Sequence, residues 1–221
     1  MGVLDIIERY PDAFARGLLV TLKLVLVIWG AGLSLGFLFG TLGSTRPTTF
    51  GRIVSGGSFI LSGLPTLVLL FWLHYPLQAA LDVVIDPFIT AAFTLSLVNL
   101  FGVAALVKDA INDFPKQYVL AARVSGMTTT QILVHIKIPI LLRQLIPVIL
   151  TAQVTMLQAT LFASLISVEE IFRVAQQINS MIYKPIEIYS ALGLFFLLIC
   201  LPLNGLAIWL KTHYTRNFSE T

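Results

Sequence analysis

LAARVSGMTTTQILVHIKIP, running from Leu120 to Pro139, is a polar, basic interlude between long apolar runs. A connection between two membrane crossings needs few residues. This one is long, patterned and able to fold. The stretch Phe114–Met127 reads as a short helix, with Pro115 suited to its first turn and Gly126 a natural stop. Tyr118, Val119, Ala122 and Val124 give that helix apolar faces. Thr128 or Thr129 then caps a second helix running into Pro139. Small residues at Ala121 and Ala122 let another surface come close. Two readings stay open on these residues alone. One is a docking surface for a protein outside the bilayer. The other is an amphipathic helix lying on the interface, for which Lys116 and Arg123 supply little charge.

The flanks of this interlude set the fold class. Five stretches contain no Asp, Glu, Lys or Arg: Leu24–Thr45, Ile53–Leu81, Pro87–Val107, Gln144–Val168 and Ile188–Leu210. About 20 mostly apolar residues suffice for a helix to cross the hydrocarbon core. Backbone groups in lipid must be satisfied internally, and continuous apolar runs do not suit the alternating strands of a barrel. The chain is 57% hydrophobic and 11% charged, against roughly 25% charged in a soluble domain. The expected fold is an all-α integral membrane protein with five transmembrane helices, one domain over residues 1–221. The crossings are placed near 17–45, 53–77, 87–110, 138–168 and 186–211, with a loop at 114–137 between the third and fourth.

Cations orient the helices. With five crossings, Arg46, Arg52, Lys108, Lys116, Arg123, Lys137, Arg143, Lys211 and Arg216 share one side; Arg9, Arg16, Lys23, Arg173 and Lys184 share the other. The richer side is read as cytoplasmic, so the N-terminus lies outside and the C-terminus and the 114–137 loop lie inside. Asp5, Glu8 and Asp12 stand where the basic region of a signal peptide belongs, so the first crossing is read as retained. Gly32, Gly36 and Gly40 make a smooth ridge on the first crossing, for close approach of a helix of the same subunit or of another. Pro65, after Ser62-Gly63, predicts a kink in the second crossing, and Pro202 a bend in the fifth.

Other function classes are excluded by what is missing from the sequence. His74, His135 and His213 belong to different elements, and with the single Cys200 they offer no metal-ligand spacing. No phosphate-cradling glycine loop is present, so this chain is not expected to bind or hydrolyse ATP. No nucleophile–base set suits catalysis, and no basic run suits nucleic acid.

The loop also resembles the cytoplasmic "EAA" loop of ABC importer permeases, whose motif runs E-A-A, three residues, G, nine residues, then I-x-L-P. Here it stands as Leu120-Ala121-Ala122, Gly126 and Ile136-x-Ile138-Pro139, with that spacing. TLKLVL (Thr21–Leu26), SGLPTLVLL (Ser62–Leu70), LSLVNLFGVAALVKDAINDFPK (Leu95–Lys116), TLFASLISVEEIFRVAQQI (Thr160–Ile178) and YKPIEIY (Tyr183–Tyr189) are similar to successive segments of the polar amino-acid permeases of the histidine/glutamine/arginine type.

The resemblance implies a type I ABC importer permease fold in a multi-pass plasma (bacterial inner) membrane protein. It implies a second permease subunit, two ATPase subunits that bind the ATP, and an extracytoplasmic binding protein that delivers a small polar solute. It implies that Tyr118, Leu120, Ala121, Ala122, Arg123 and Gly126 form the ATPase contact of a coupling helix, with Pro139 setting the turn behind it. Leu120 departs from the motif's Glu.

Two further departures concern the solute. Gln158, Ala159, Thr160 and Leu161 stand where the family has K-D-T-S, and Ser62 replaces an Arg. A distinct partner permease that carries the solute-binding charges accounts for both, as does a solute read by neutral groups. Ser62, Asn99, Gln153, Gln158, Thr160 and Ser164 are the candidate pathway residues, and interhelical hydrogen bonding, worth about 0.6 kcal/mol per contact, is their other reading. Glu170 matches a family Glu just past the fourth crossing. It is read as facing the binding protein or an entering solute, or as solvated in a loop with Arg173 as ion-pair partner. The alternative functions are an ATP-independent carrier or channel and a membrane scaffold without transport.

Overall fold

Proline and capping residues set most of the helix boundaries. The computed structural model describes residues 2–216; Met1 and residues 217–221 of the expected 1–221 domain lie outside the described residues. Helix α1 (Val3–Arg9) leads into α2 (Pro11–Thr45). Pro11 opens α2, where its missing N–H costs nothing. The helix stops at Arg46, whose backbone leaves the helical region before Pro47 (φ −125°, ψ 71°). The 35 residues of α2 reach about 52 Å at 1.5 Å per residue, well beyond a hydrocarbon core of about 30 Å. The crossing was expected from residue 17, and the helix starts earlier. Asp12, Arg16 and Lys23 mark the bilayer border and are compatible with helix outside it.

The second crossing is broken rather than kinked. α3 (Phe50–Gly63) and α4 (Thr66–His74), which continues into α5 (Pro76–Ala80), meet at 96°. Leu64 precedes Pro65 and is extended (φ −102°, ψ 126°), because the proline ring clashes with a helical predecessor. α6 (Pro87–Asn112) starts at Asp86, whose carboxylate accepts the Phe88 N–H at 2.8 Å.

Beyond α7 (Lys116–Val124), the chain turns into one long helical rod over Thr129–Ile166. It comprises α8 (Thr129–Ile132), a π-helical turn (Leu133–Lys137), α9 (Ile138–Ala159) and a 3-10 turn (Thr160–Ile166). The rod begins nine residues before the expected start at 138. Pro139 does not end it. A proline ring clashes with the carbonyl four residues back, and widening the preceding turn to i→i+5 bonding relieves this; the Ile138 N–H accordingly donates to the Leu133 carbonyl. α10 (Ile171–Ile182) follows, then α11 (Pro185–Arg216), which runs through Pro202.

Among the described residues, four single helices are long and apolar enough to cross a bilayer, and the broken α3/α4 pair makes a fifth. α2 and α6 form the central pair. The glycine ridge of α2 faces α6 within the same chain: a Cβ added at Gly36 would fall 2.6 Å from Val103 Cβ, and one at Gly40 would fall 2.7 Å from the Ala104 carbonyl. Leu24, Ile28, Leu70, Leu95 and Ile166 fill the middle of the bundle. Ile171, Val174, Ile178, Ile188 and Leu192 seat α10 between α2 and α11.

Candidate functional site

The first candidate region is α7. Pro115 (φ −61°, ψ 118°) stands just before it and Gly126 just after, at φ +77°. The Met127 N–H donates to the Ala122 carbonyl (3.1 Å) and the Gly126 N–H to the Arg123 carbonyl (3.0 Å), the paired bonds of a glycine-terminated helix. Thr128 caps the following rod and shares a capping box with Gln131. The Lys137 ammonium lies 5.7 Å from the Phe114 ring centre, and that ring lies 6.2 Å from Tyr118. The two helices are thereby tied together through defined contacts.

Only part of the predicted contact set faces outward. Leu120 is 60% exposed and Val124 90% exposed, one turn apart. Ala121, Arg123 and Gly126 are exposed, while Tyr118 and Pro139 are half-buried. Ala122 is buried, and its small size serves packing inside the chain. Val124, at the i+4 position from Leu120, shares the outer face with it instead.

The second candidate region is the set of polar residues on the crossings. Asn99 on α6 and Gln153 on α9 pair through both amides, at 2.9 and 3.0 Å, and Asn99 also donates to the Ile28 carbonyl at 3.0 Å. Trp29 Nε1 donates to the Gln153 carbonyl at 3.2 Å. Both amides are buried, so three helices are joined at one polar point. Thr160 and Ser164 are fully buried, and their hydroxyls donate back to the Leu157 and Leu161 carbonyls. The polar atoms of these four are satisfied inside the subunit, as in the hydrogen-bonding reading of their role. Ser62 and Gln158 are exposed. Ser62 lies at the α3/α4 break, its hydroxyl on the Phe59 carbonyl.

Sequence reading missed two neighbours of Gln158. Thr151 and Thr155 are also exposed, and with Gln158 they recur at i, i+4 and i+7 on α9. That spacing is one face of a helix and was readable from the sequence. The three make a polar stripe on the outer surface of a crossing.

Glu170 is fully buried. It is the N-cap of α10 and accepts the Phe172 and Arg173 N–H groups at 3.0 and 2.9 Å. Burial pushes its carboxyl from the ordinary 4.5 up to about 7, against the opposing pull of those two hydrogen bonds. The reading of Glu170 as a solvated or solute-facing loop carboxylate is corrected. Its contact with Arg173 is to the backbone. The exposed acid is Glu169.

The helical bundle has counterparts among known proteins. The family described as "Binding-protein-dependent transport system inner membrane component" matches residues 32–216. The chain belongs to that family. It is a multi-pass inner-membrane transport component rather than an enzyme. Similar relatives include the histidine/lysine/arginine/ornithine transport system permease protein HisQ of Salmonella typhimurium, 27% identical over 93% of this chain and 95% of the relative. The glutamine transport system permease protein GlnP of Escherichia coli is 26% identical over 82% and 85%. Among solved structures, an amino acid ABC transporter superposes with a TM-score of 0.83 at 21% identity, covering 96% of this chain and 99% of that one. The MetNI methionine ABC transporter in an inward-facing conformation gives 0.72 at 20% identity, covering 94% and 98%. The fold is the type I ABC importer permease fold.

Proposed function

We propose that this chain is one permease subunit of an ATP-driven importer for polar or charged amino acids, coupled through α7 to separate ATPase subunits that bind the ATP. The observation that carries this reading is α7 itself: a helix bounded by Pro115 and closed by the Gly126 turn, tied to the fourth crossing, with Leu120 and Val124 turned away from the chain. Exposed apolar side chains one turn apart suit insertion into a groove on a partner protein. Driving a two-state equilibrium from 1:99 to 99:1 takes about 5.5 kcal/mol of differential binding. A rigid rod that begins at the capped Thr128 and continues through Ile166 transmits such a bias, where a flexible loop would dissipate it.

The relatives' names support the solute class. HisQ and GlnP serve cationic amino acids with histidine, and glutamine, respectively. The absence of the charged pair at Gln158 and Ala159 supports pairing with a second, different permease subunit that carries the solute-binding charge. The exposed stripe of Thr151, Thr155 and Gln158 supports a shared pathway, because polar groups on a crossing are poorly placed against lipid. An extracytoplasmic binding protein would deliver the solute from the side of the N-terminus, and the cation asymmetry supports that orientation.

Val124→Asp tests the coupling surface. The side chain is exposed, so the fold is expected to persist, with thermal stability of the purified subunit unchanged. Co-purification of the ATPase subunits should fall about tenfold, the equivalent of about 1.4 kcal/mol, and solute uptake should fall with it. Unchanged co-purification and uptake would remove α7 as the coupling element.

A further inference from the structure

The N-terminal part of α2 and the helix α10 enclose a groove of about 620 Å3. Arg16, Lys23 and Glu169 line it together with an apolar wall that includes Leu19, Val20 and Ile178. All three charged side chains are exposed. Among the described residues, none of them is paired with another or with any other charged group.

Their heights relative to the bilayer follow from the helix register. The charge-free run of the first crossing begins at Leu24, immediately after Lys23. Arg16 is two turns further out on the same face, about 10 Å along the axis. The Ile171 N–H donates to Thr21 Oγ1 at 3.1 Å, which sets the start of α10, and Glu169 with it, at a level between the two cations. The headgroup layer is about 5–7 Å thick on each side of the hydrocarbon. Lys23 and Arg16 therefore bracket that layer, and Glu169 lies within it.

We propose that this groove binds one phospholipid whose headgroup carries both a phosphate and a primary ammonium, as in phosphatidylethanolamine. The phosphate takes its place between Arg16 and Lys23, the ammonium meets the Glu169 carboxylate, and the glycerol and first methylenes lie on Leu19 and Val20. A purely anionic headgroup leaves Glu169 facing its charge. A quaternary ammonium has no N–H to donate. Each misses part of the match. The proposal needs only that the chain is embedded in a membrane and does not depend on the solute or on the coupling surface.

Native mass spectrometry of the complete, detergent-purified transporter tests it, with phosphatidylethanolamine, phosphatidylglycerol and phosphatidylcholine of matched chains added in turn. The wild type is expected to retain one phosphatidylethanolamine at least fivefold more tightly than either of the others. Arg16→Gln with Lys23→Gln should cut that retention at least fivefold, and Glu169→Gln should abolish the preference over phosphatidylglycerol. All three positions are exposed, and an unchanged melting temperature confirms that the variants are folded. Equal retention of the three lipids by the wild type, or undiminished phosphatidylethanolamine in the double variant, overturns the proposal. So does loss of binding-protein capture by the double variant with lipid retention intact, which would make the groove a protein-docking surface.

Discussion

Gln153 and Gln158 lie on the same helix, five residues apart, and do opposite things. Gln153 is buried and bonded to Asn99 on α6; Gln158 faces out of the subunit with Thr151 and Thr155. Five residues at 100° each amount to about 140° around the helix, enough to turn one side chain into the bundle and the other away from it. The same amide chemistry therefore locks crossings together at one position and offers a wettable surface at the other. Residue type in a membrane helix says that a polar group needs a partner. The helical phase says whether that partner is inside the chain.

Gln153→Leu is the sharpest way to break this contrast. It removes both bonds to Asn99 and leaves a buried amide without its partner, at a cost of about 1–3 kcal/mol. Thermal unfolding in detergent reads the loss. Adding Asn99→Leu should recover part of it, because replacing both partners removes the unsatisfied group. A strictly additive double variant would show that the pair is not coupled.

The contrast recurs within a single residue step at the end of the fourth crossing, where Glu169 is exposed and Glu170 is buried. The folded-state pKa of Glu170, about 7, lies above its ordinary 4.5. Between those values the folded state binds more protons than the unfolded state, so stability falls as pH rises through that window and is flat above it. The expected loss is about 2 kcal/mol between pH 5 and pH 7. Glu170→Gln should remove that dependence, whereas Glu169→Gln should leave it in place. A melting temperature that rises across the window in the wild type would contradict the burial argument.

The smallest effect on stability is expected from Gln158→Leu, within about 0.5 kcal/mol, as for an exposed site without special contacts. Its consequence should appear in the assembled transporter as altered KM or uptake. A destabilisation equal to that of Gln153→Leu would erase the distinction between the two faces of α9.

Much of the architecture is legible along the chain, for identifiable reasons. Five charge-free runs of sufficient length require helices, because lipid offers no partner for backbone groups. The ridge of Gly32, Gly36 and Gly40, the stop at Gly126 and the cap at Thr128 depend on short-range chemistry, and the helices use them as such. Less legible are events that depend on a neighbour. Pro65 predicts a kink, and the chain makes a 96° break. Pro139 reads as a helix boundary, and a π-helical turn carries the rod through it. At the candidate site, Leu120, Ala121, Arg123 and Gly126 are exposed, but Ala122 turns inward. Asn99, Gln153, Thr160, Ser164 and Glu170 find partners within the chain, which residue type alone does not reveal.

By itself, then, the order of residues determined a helical membrane body with a structured loop, because hydrophobic length and local caps act within a few turns of the chain. Only the tertiary structure decided which polar groups close on each other and which remain open to a partner. That choice depends on the rotation of each helix against its neighbours, and packing across α2, α6 and α9 sets it.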